Sequence, residues 1–336
     1  MSNIKILVIR LSSIGDIFHT FTVLPDIKLA YPNAQIDWLV DENFEKIAKL
    51  SPLIDNVLSI PLRKWKKNKL SWLFKLFNYK KNLLKQNYDY IIDTQGLIKS
   101  AFLARFLFNG PIYGLNKKSA KESLASLFYD YKYFVPQNNI AVFRLRGLIA
   151  AIFQLKTDLN KIDFKILAGN YSIDSSDGYI LFLHGTSKNN KKWPLASWQF
   201  LGEWILKETN KDIILTYSNS QEFDFANCLI KALANPRIKL LPKLEFLALA
   251  DLIQQADLVV GVDTGFTHLA NLLGIATLAI YLASDPAYVG IVENARAQNF
   301  GGNNKTVMPI EIIDFIKNKQ LLSINSLNKI TQNLQE

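Results

Sequence analysis

Apolar residues along this chain fall into two rhythms that take turns. Short runs rich in Ile, Val and Leu at 4–9, 35–40, 56–60, 88–93 and 111–113 read as buried strands. Between them, apolar positions recur at helical spacing at 15–30, 70–85 and 97–108. That alternation predicts parallel strands joined by helical crossovers, with helices on both faces of a sheet. A further helical run at 141–155 gives way to a polar stretch rich in Asp, Lys, Asn and Ser. The alternation then restarts, with strands expected at 179–183, 212–216, 258–262 and 277–280. Helices are expected at 194–208, 221–234, 246–255 and 264–273. The pattern predicts an α/β protein of two Rossmann-like domains, 1–160 and 178–320, with a linker at 161–177 and a tail at 321–336. Their parallel sheets are expected to face a central cleft.

Composition narrows the class. With 336 residues, 49% of them hydrophobic, there is enough apolar material for two cores of ordinary size. Mean hydropathy is +0.07, and no apolar run approaches the roughly 20 residues of a membrane span. The first strand starts at once, without the charged, apolar and small-residue regions of a leader, so a cytoplasmic location is expected. The one cysteine, Cys228, leaves no internal disulfide or thiolate cluster and is expected in a helix core. Three histidines without a His-x-x-x-His pair speak against structural zinc, and no metal is expected.

Charge adds a second feature, for the formal net value is +10 and it is unevenly spread. Between Asp55 and Asp89 there is no acid but nine basic residues, including Arg63, Lys64, Lys66 and Lys67. They are interleaved with Leu70, Leu73, Phe74, Phe77 and Leu84, spaced as one helix face. A solvated helix face is one reading of the window. An electropositive landing site is the sharper one, and the cationic-plus-apolar pattern suits an anionic membrane better than a nucleic acid.

Candidate chemistry sits where strands stop. After the first strand comes Ser12-Ser13-Ile14-Gly15-Asp16, which puts a carboxylate in the turn, either as a plain helix N-cap or as a base for a substrate proton. After the first strand of the second domain comes His184-Gly-Thr186-Ser187 with Lys191 and Pro194 close behind. Hydroxyls, backbone N–H groups and an ammonium are what a diphosphate needs. The junction Asp263-Thr264-Gly265 reads as an N-cap aspartate followed by N–H groups for a phosphate. His268 fits core packing or a polar contact behind the site, and Glu222 stands where an acid meets ribose hydroxyls. Neither a Gly-x-Gly-x-x-Gly fingerprint nor a Walker A motif is present, and no Asp-x-Asp pair offers to hold a metal on a sugar nucleotide.

At these residues the chain resembles glycosyltransferase family 9, the bacterial ADP-heptose:lipopolysaccharide heptosyltransferases, and within it the heptosyltransferase I branch. The likeness runs from about Ile4 to about Gly290. Its marks are Leu11-Ser-Ser-Ile-Gly-Asp16, Arg63-Lys-Trp-Lys-Lys67, Asp93-Thr-Gln-Gly-Leu-Ile-Lys-Ser100 and Leu124-Ala-Ser-Leu-Phe-Tyr129. Downstream they are His184-Gly-Thr-Ser187 with Lys191 and Trp193-Pro194, then Val262-Asp-Thr-Gly265 with His268. The resemblance implies a GT-B fold and inverting transfer of L-glycero-D-manno-heptose from ADP-heptose to 3-deoxy-D-manno-octulosonic acid (Kdo) of lipid A. It implies Asp16 as catalytic base and Gly15, Thr186, Ser187, Lys191, Glu222, Asp263, Thr264, Gly265 and His268 as the donor site. Ser13, Arg63, Lys64, Lys66, Lys67, Lys99 and Lys121 fall on its acceptor side. It implies no cofactor besides the nucleotide-sugar substrate, Kdo-lipid A and the cytoplasmic face of an anionic inner membrane as partners, and no nucleic acid; the oligomeric state stays open.

Two stretches depart from the family. Tyr281-Leu-Ala-Ser-Asp-Pro286 replaces the usual Tyr-Gly-Pro-Thr-(Asp/Ser)-Pro, and Tyr217-Ser218 replaces Trp-Gly before the ribose-binding acid. They keep open a relative that uses another nucleotide sugar, such as a mannosyl donor. A basic nucleic-acid-binding protein is the alternative from a different class.

Overall fold

A computed structural model describes residues 4–62, 64, 87–156, 158–186 and 188–324. The helix expected at 70–85 lies outside the described residues, as do Arg63, Lys66, Lys67, Ser187 and tail residues 325–336. The chain divides into two compact units, Met1–Leu167 and Ala168–Glu336.

The first unit carries strands β1 (Lys5–Ile9), β2 (Gln35–Asp41), β3 (Asn56–Ile60), β4 (Tyr90–Asp93), β5 (Ile112–Leu115) and β6 (Tyr131–Tyr133). They form one parallel sheet in the order β3-β2-β1-β4-β5-β6. Ile6 pairs with Ile36 on one side and with Tyr90 on the other. A strand so enclosed is covered on both faces, which is why Ile6, Leu7, Val8 and Ile9 are all fully buried and the run is continuous rather than alternating.

The helix expected at 15–30 is in fact two, α1 (Ile14–Phe21) and α2 (Leu24–Ala30). The Thr22 hydroxyl donates to the His19 carbonyl at 2.6 Å, and Pro25, which has no N–H, stands in the first turn of α2. After α3 (Glu45–Ala48) come α4 (Ile98–Leu107) and α5 (Ala141–Phe153).

The second unit repeats the plan with β7 (Tyr179–Leu183), β8 (Asp212–Leu215), β9 (Ile238–Leu240), β10 (Leu258–Val262), β11 (Thr277–Tyr281) and β12 (Ala297–Gly301). Its parallel order is β12-β11-β10-β7-β8-β9. Its helices are α6 (Leu195–Glu208), α7 (Ser220–Leu233), α8 (Phe246–Gln254), α9 (Gly265–Leu272), α10 (Pro286–Val289) and α11 (Pro309–Asn318). Trp193, Trp198 and Phe182 fill its core, with the two indoles edge to face at 5.1 Å. Cys228, expected in the core, is exposed instead. Helical rotation turns Ala226 and Leu229 inward and leaves Cys228 off that stripe.

Residues 158–178 hold no helix or strand, yet they are tied down. Arg146 forms a buried two-pronged ion pair with Asp26, both bonds 2.8 Å. Its third nitrogen donates to the carbonyls of Asp158, Leu159 and Lys161. The N–H of Leu167 donates to Leu50, while those of Gly169 and Tyr171 donate to the carboxylate of Asp251. Among the described residues, no helix is long and apolar enough to cross a membrane.

Candidate active site

In each sheet the first strand of the unit lies between two neighbours, so the chain leaves it on one side and returns on the other. Such switch points open a crevice at the carboxyl ends of the strands, where ligands of α/β proteins bind. In the first unit the turns concerned follow β1 and β4; in the second they follow β7 and β10.

After β1, the Ser12–Ser13 peptide is cis and Ser13 caps α1. Asp16 is therefore not the N-cap but the third helical residue, reaching back in a capping box. Its Oδ2 accepts from the Ser13 N–H and hydroxyl, each at 3.0 Å, and its Oδ1 pairs with Arg10 Nη2 at 2.8 Å. Arg10 is nearly buried and donates its other terminal nitrogen to the Thr94 carbonyl at 2.5 Å. Leu11 N–H bonds to the Gln95 side chain, so the turns after β1 and β4 are knitted together. Burial opposes ionisation of Asp16, but Arg10, Ser13 and His19 outweigh it and bring the pKa down to about 2. The side chain is still 41% exposed, so this carboxylate is ionised, oriented and open to a substrate. Burial, followed by repulsion from Arg10, lowers the pKa of Arg144, a second guanidinium in the same corner.

In the second unit Asp263 is a hub. The cap of α9 is Thr264, one residue beyond the expected position, and its side chain makes no capping bond. That frees Asp263 to pair with Lys191 Nζ at 2.5 Å and to accept from the Ser284 hydroxyl at 2.6 Å. His268 Nε2 stands 3.8 Å from its other oxygen, and the Thr186 hydroxyl donates to its carbonyl at 3.4 Å. Burial would raise its pKa; hydrogen bonds from His268, Lys191 and Ser284 overcome this and hold the carboxyl far below the usual range. His268 is buried behind the hub, a polar contact rather than apolar packing. Ser284, whose hydroxyl donates to Asp263, lies in the Tyr281–Pro286 turn.

Glu222 is in the first turn of α7, and its Oε2 accepts from the Ser218 N–H and hydroxyl at 2.7 and 2.8 Å. A Cβ at Gly185 would fall 2.6 Å from the Glu222 carboxyl carbon, so a larger residue there would displace this flexible carboxylate from the turn after β7. His184 stacks on Phe225 and meets the Glu222 carbonyl through Nε2 at 3.1 Å; burial lowers its pKa. Thr186, Lys191, Glu222, Asp263, Thr264, Gly265 and His268 are thus gathered at or beside one sheet edge, where α9 begins.

Gly15 is the second residue of α1 and Ser13 its exposed cap. Lys64, Lys99 and Lys121 are exposed in the first unit; Lys64 pairs with Glu42 at 3.0 Å. Lys64 follows β3 whereas Lys99 follows β4, so they flank β1 from opposite sides. Among the described residues no cluster of three His, Cys, Asp or Glu could hold a metal. Arg10, Arg144 and Ser284 were missed as site residues. A lone arginine ending an apolar strand was the available signal for Arg10, because a buried charge demands a partner.

This arrangement has counterparts. The sequence pattern of glycosyltransferase family 9 (heptosyltransferase) matches residues 76–310. Lipopolysaccharide heptosyltransferase 1 of Pseudomonas aeruginosa is 34% identical over 290 residues, covering 85% of this chain and 81% of its own. Among solved structures, E. coli heptosyltransferase WaaC with ADP aligns at TM-score 0.81 and 29% identity, covering 94% of this chain and 100% of that one. WaaC with ADP-2-deoxy-2-fluoro heptose aligns at 0.80 and 28%, covering 94% and 99%. The two parallel six-stranded sheets with their helices are the α/β architecture of GT-B enzymes. The chain belongs to glycosyltransferase family 9, the heptosyltransferases.

Proposed function

We propose that this enzyme transfers L-glycero-D-manno-heptose from ADP-heptose to a hydroxyl of Kdo on lipid A, with inversion at the anomeric carbon. The observation that carries the reading is the ionised Asp16 carboxylate at the end of β1, oriented by Ser13 and Arg10 and open to solvent. Asp16 takes the acceptor proton as the hydroxyl oxygen bonds to the anomeric carbon and ADP departs. Ser13, Lys64, Lys99 and Lys121, with Arg63, Lys66 and Lys67 of the basic window, serve the anionic acceptor.

On the donor side, Lys191 and the N–H groups of Thr264 and Gly265 neutralise the leaving diphosphate, in place of a metal. Thr186, Ser187 and His268 complete that site, Gly15 serves the donor sugar, and Glu222 serves the ribose. The similarity to WaaC, solved with ADP and with ADP-2-deoxy-2-fluoro heptose, supports this donor. The lipid acceptor gives the protein reason to work as a peripheral enzyme at the cytoplasmic face of the inner membrane.

Mass spectrometry of products from Kdo-lipid A and a panel of nucleotide sugars tests the reading. A gain of one heptose from ADP-heptose is expected. Product from a mannosyl nucleotide alone would instead assign the altered Tyr281–Pro286 turn to a changed donor.

A further inference from the structure

Between Asp93 and Asp130 the chain holds five cations and a single acid, Glu122. The Glu122 carboxylate is occupied by the Ile98 N–H at 2.7 Å, and the Glu122 N–H donates to the Gly96 carbonyl at 3.0 Å. These bonds fasten the start of the 3₁₀ segment Ser123–Phe128 to the carboxyl edge of β4. A 3₁₀ helix turns once in three residues, so positions three apart share a face. Ala125 and Phe128 point inward, Ala125 fully buried and Phe128 edge to face with Phe102. Leu124 and Leu127 therefore share the opposite stripe, and they are 56% and 73% exposed. Ile98, at the first position of α4, is exposed beside them.

A cationic turn precedes this apolar stripe in the chain. Lys117 and Lys118 are exposed where the Asn116 side chain caps the turn after β5, accepting from the Lys118 N–H at 3.0 Å. Lys121 follows within a few residues and is also exposed. Exposed leucines paired three apart, preceded by exposed lysines and by a single acid that is itself engaged, are the composition of a surface that enters a lipid headgroup region.

We propose that the Leu124–Leu127 stripe, with the Lys117–Lys118 turn beside it, docks the first unit onto an anionic phospholipid leaflet. The leucines enter the boundary between headgroups and acyl chains, and the lysines meet the phosphates. The proposal rests on the heptosyltransferase reading for the reason the protein meets a bilayer at all. It adds a contact on the β4–β5 flank of Asp16, built from residues other than those of the 63–85 basic window.

Sedimentation of the full chain with vesicles of phosphatidylethanolamine and phosphatidylglycerol tests it, with phosphatidylcholine vesicles as the uncharged control. The wild type should bind the anionic vesicles and not the control. L124Q/L127Q should weaken that binding about tenfold or more through lost apolar burial. K117E/K118E should weaken it by a similar or larger factor, and the difference should shrink as salt rises. Both variants should keep wild-type melting temperature, ADP affinity and turnover on a soluble Kdo acceptor without acyl chains. The apparent KM for vesicle-embedded lipid acceptor should rise. Wild-type vesicle binding by L124Q/L127Q would overturn the docking surface. So would a wild type that ignores anionic vesicles while L124Q/L127Q turns a dimer into a monomer, since the stripe would then join two copies. Failure to use ADP-heptose on the soluble acceptor, with vesicle binding as expected, would sink the heptosyltransferase reading and leave the docking surface standing.

Discussion

Asp16 is held by more partners than a helix cap requires, and that excess has measurable consequences. Asp16→Ala should lower kcat by about 10²–10⁴-fold, the usual worth of general-base catalysis, with ADP affinity unchanged in titration calorimetry. On the proposed reading, Arg10 should also set the acid limit of the reaction. With its pKa down at about 2, Asp16 stays ionised across any workable pH, and its ion pair stabilises the fold above the ordinary aspartate value of about 3.9. That stabilisation is lost as the pH falls toward about 2. Arg10→Gln should return Asp16 toward ordinary behaviour, so an acid limb should enter the kcat/KM profile at higher pH than in the wild type. A profile unchanged down to pH about 4 would remove Arg10 from this role. In the second unit Lys191 is paired with Asp263, and on the proposed reading it exchanges that partner for a diphosphate. Lys191→Ala should weaken ADP binding and turnover together, while chelation by EDTA should leave wild-type turnover intact.

At the scale of elements, packing tolerances decide which substitutions the site survives. A Cβ on Gly261 in β10 would fall 2.2 Å from the Thr267 hydroxyl, which itself bonds the Val262 carbonyl at 2.7 Å. Gly261→Ala should therefore push α9 off its strand and cost about 1–3 kcal/mol in denaturant unfolding. ADP affinity should fall with it, because Thr264 and Gly265 open that helix. Strands enclosed on both sides, such as β1, β7 and β10, could be read from sequence because their apolar runs are continuous. Of the edge strands only β3 could; β6, β9 and β12 could not. In β9, Lys239 is exposed between Ile238 and Leu240, and in β12 only Ala297 and Phe300 are buried, too little to register as a run. The Thr22–Val23 break was equally hidden, since apolar spacing continues across it and only Pro25 marks it. The turn chemistry was half legible. Small and charged residues after β1, β7 and β10 marked the candidate turns, yet which residue capped each helix depended on a side chain choosing a tertiary partner over its own backbone, as Asp263 does with Lys191.

For the whole molecule, Arg146 is the feature with the longest reach. Its guanidinium is buried against Asp26 in α2, 120 residues away in sequence, while it also gathers three carbonyls of the segment leaving α5. Arg146→Ala should cost about 3–5 kcal/mol of stability, since Asp26 would be left buried and unpaired. Arg146→Lys should recover only part of this, because one ammonium cannot replace the planar fork. The same residue determines where the polypeptide can be cut. A fragment ending at 155, just past α5, keeps every strand of the first sheet but strips Arg146 of all three carbonyl acceptors. A fragment ending at 167 retains those carbonyls and the Leu167 bond to Leu50. Thermal melts of the two should therefore differ, the longer melting higher, and the apparent connector counts as the last structural piece of the unit before it.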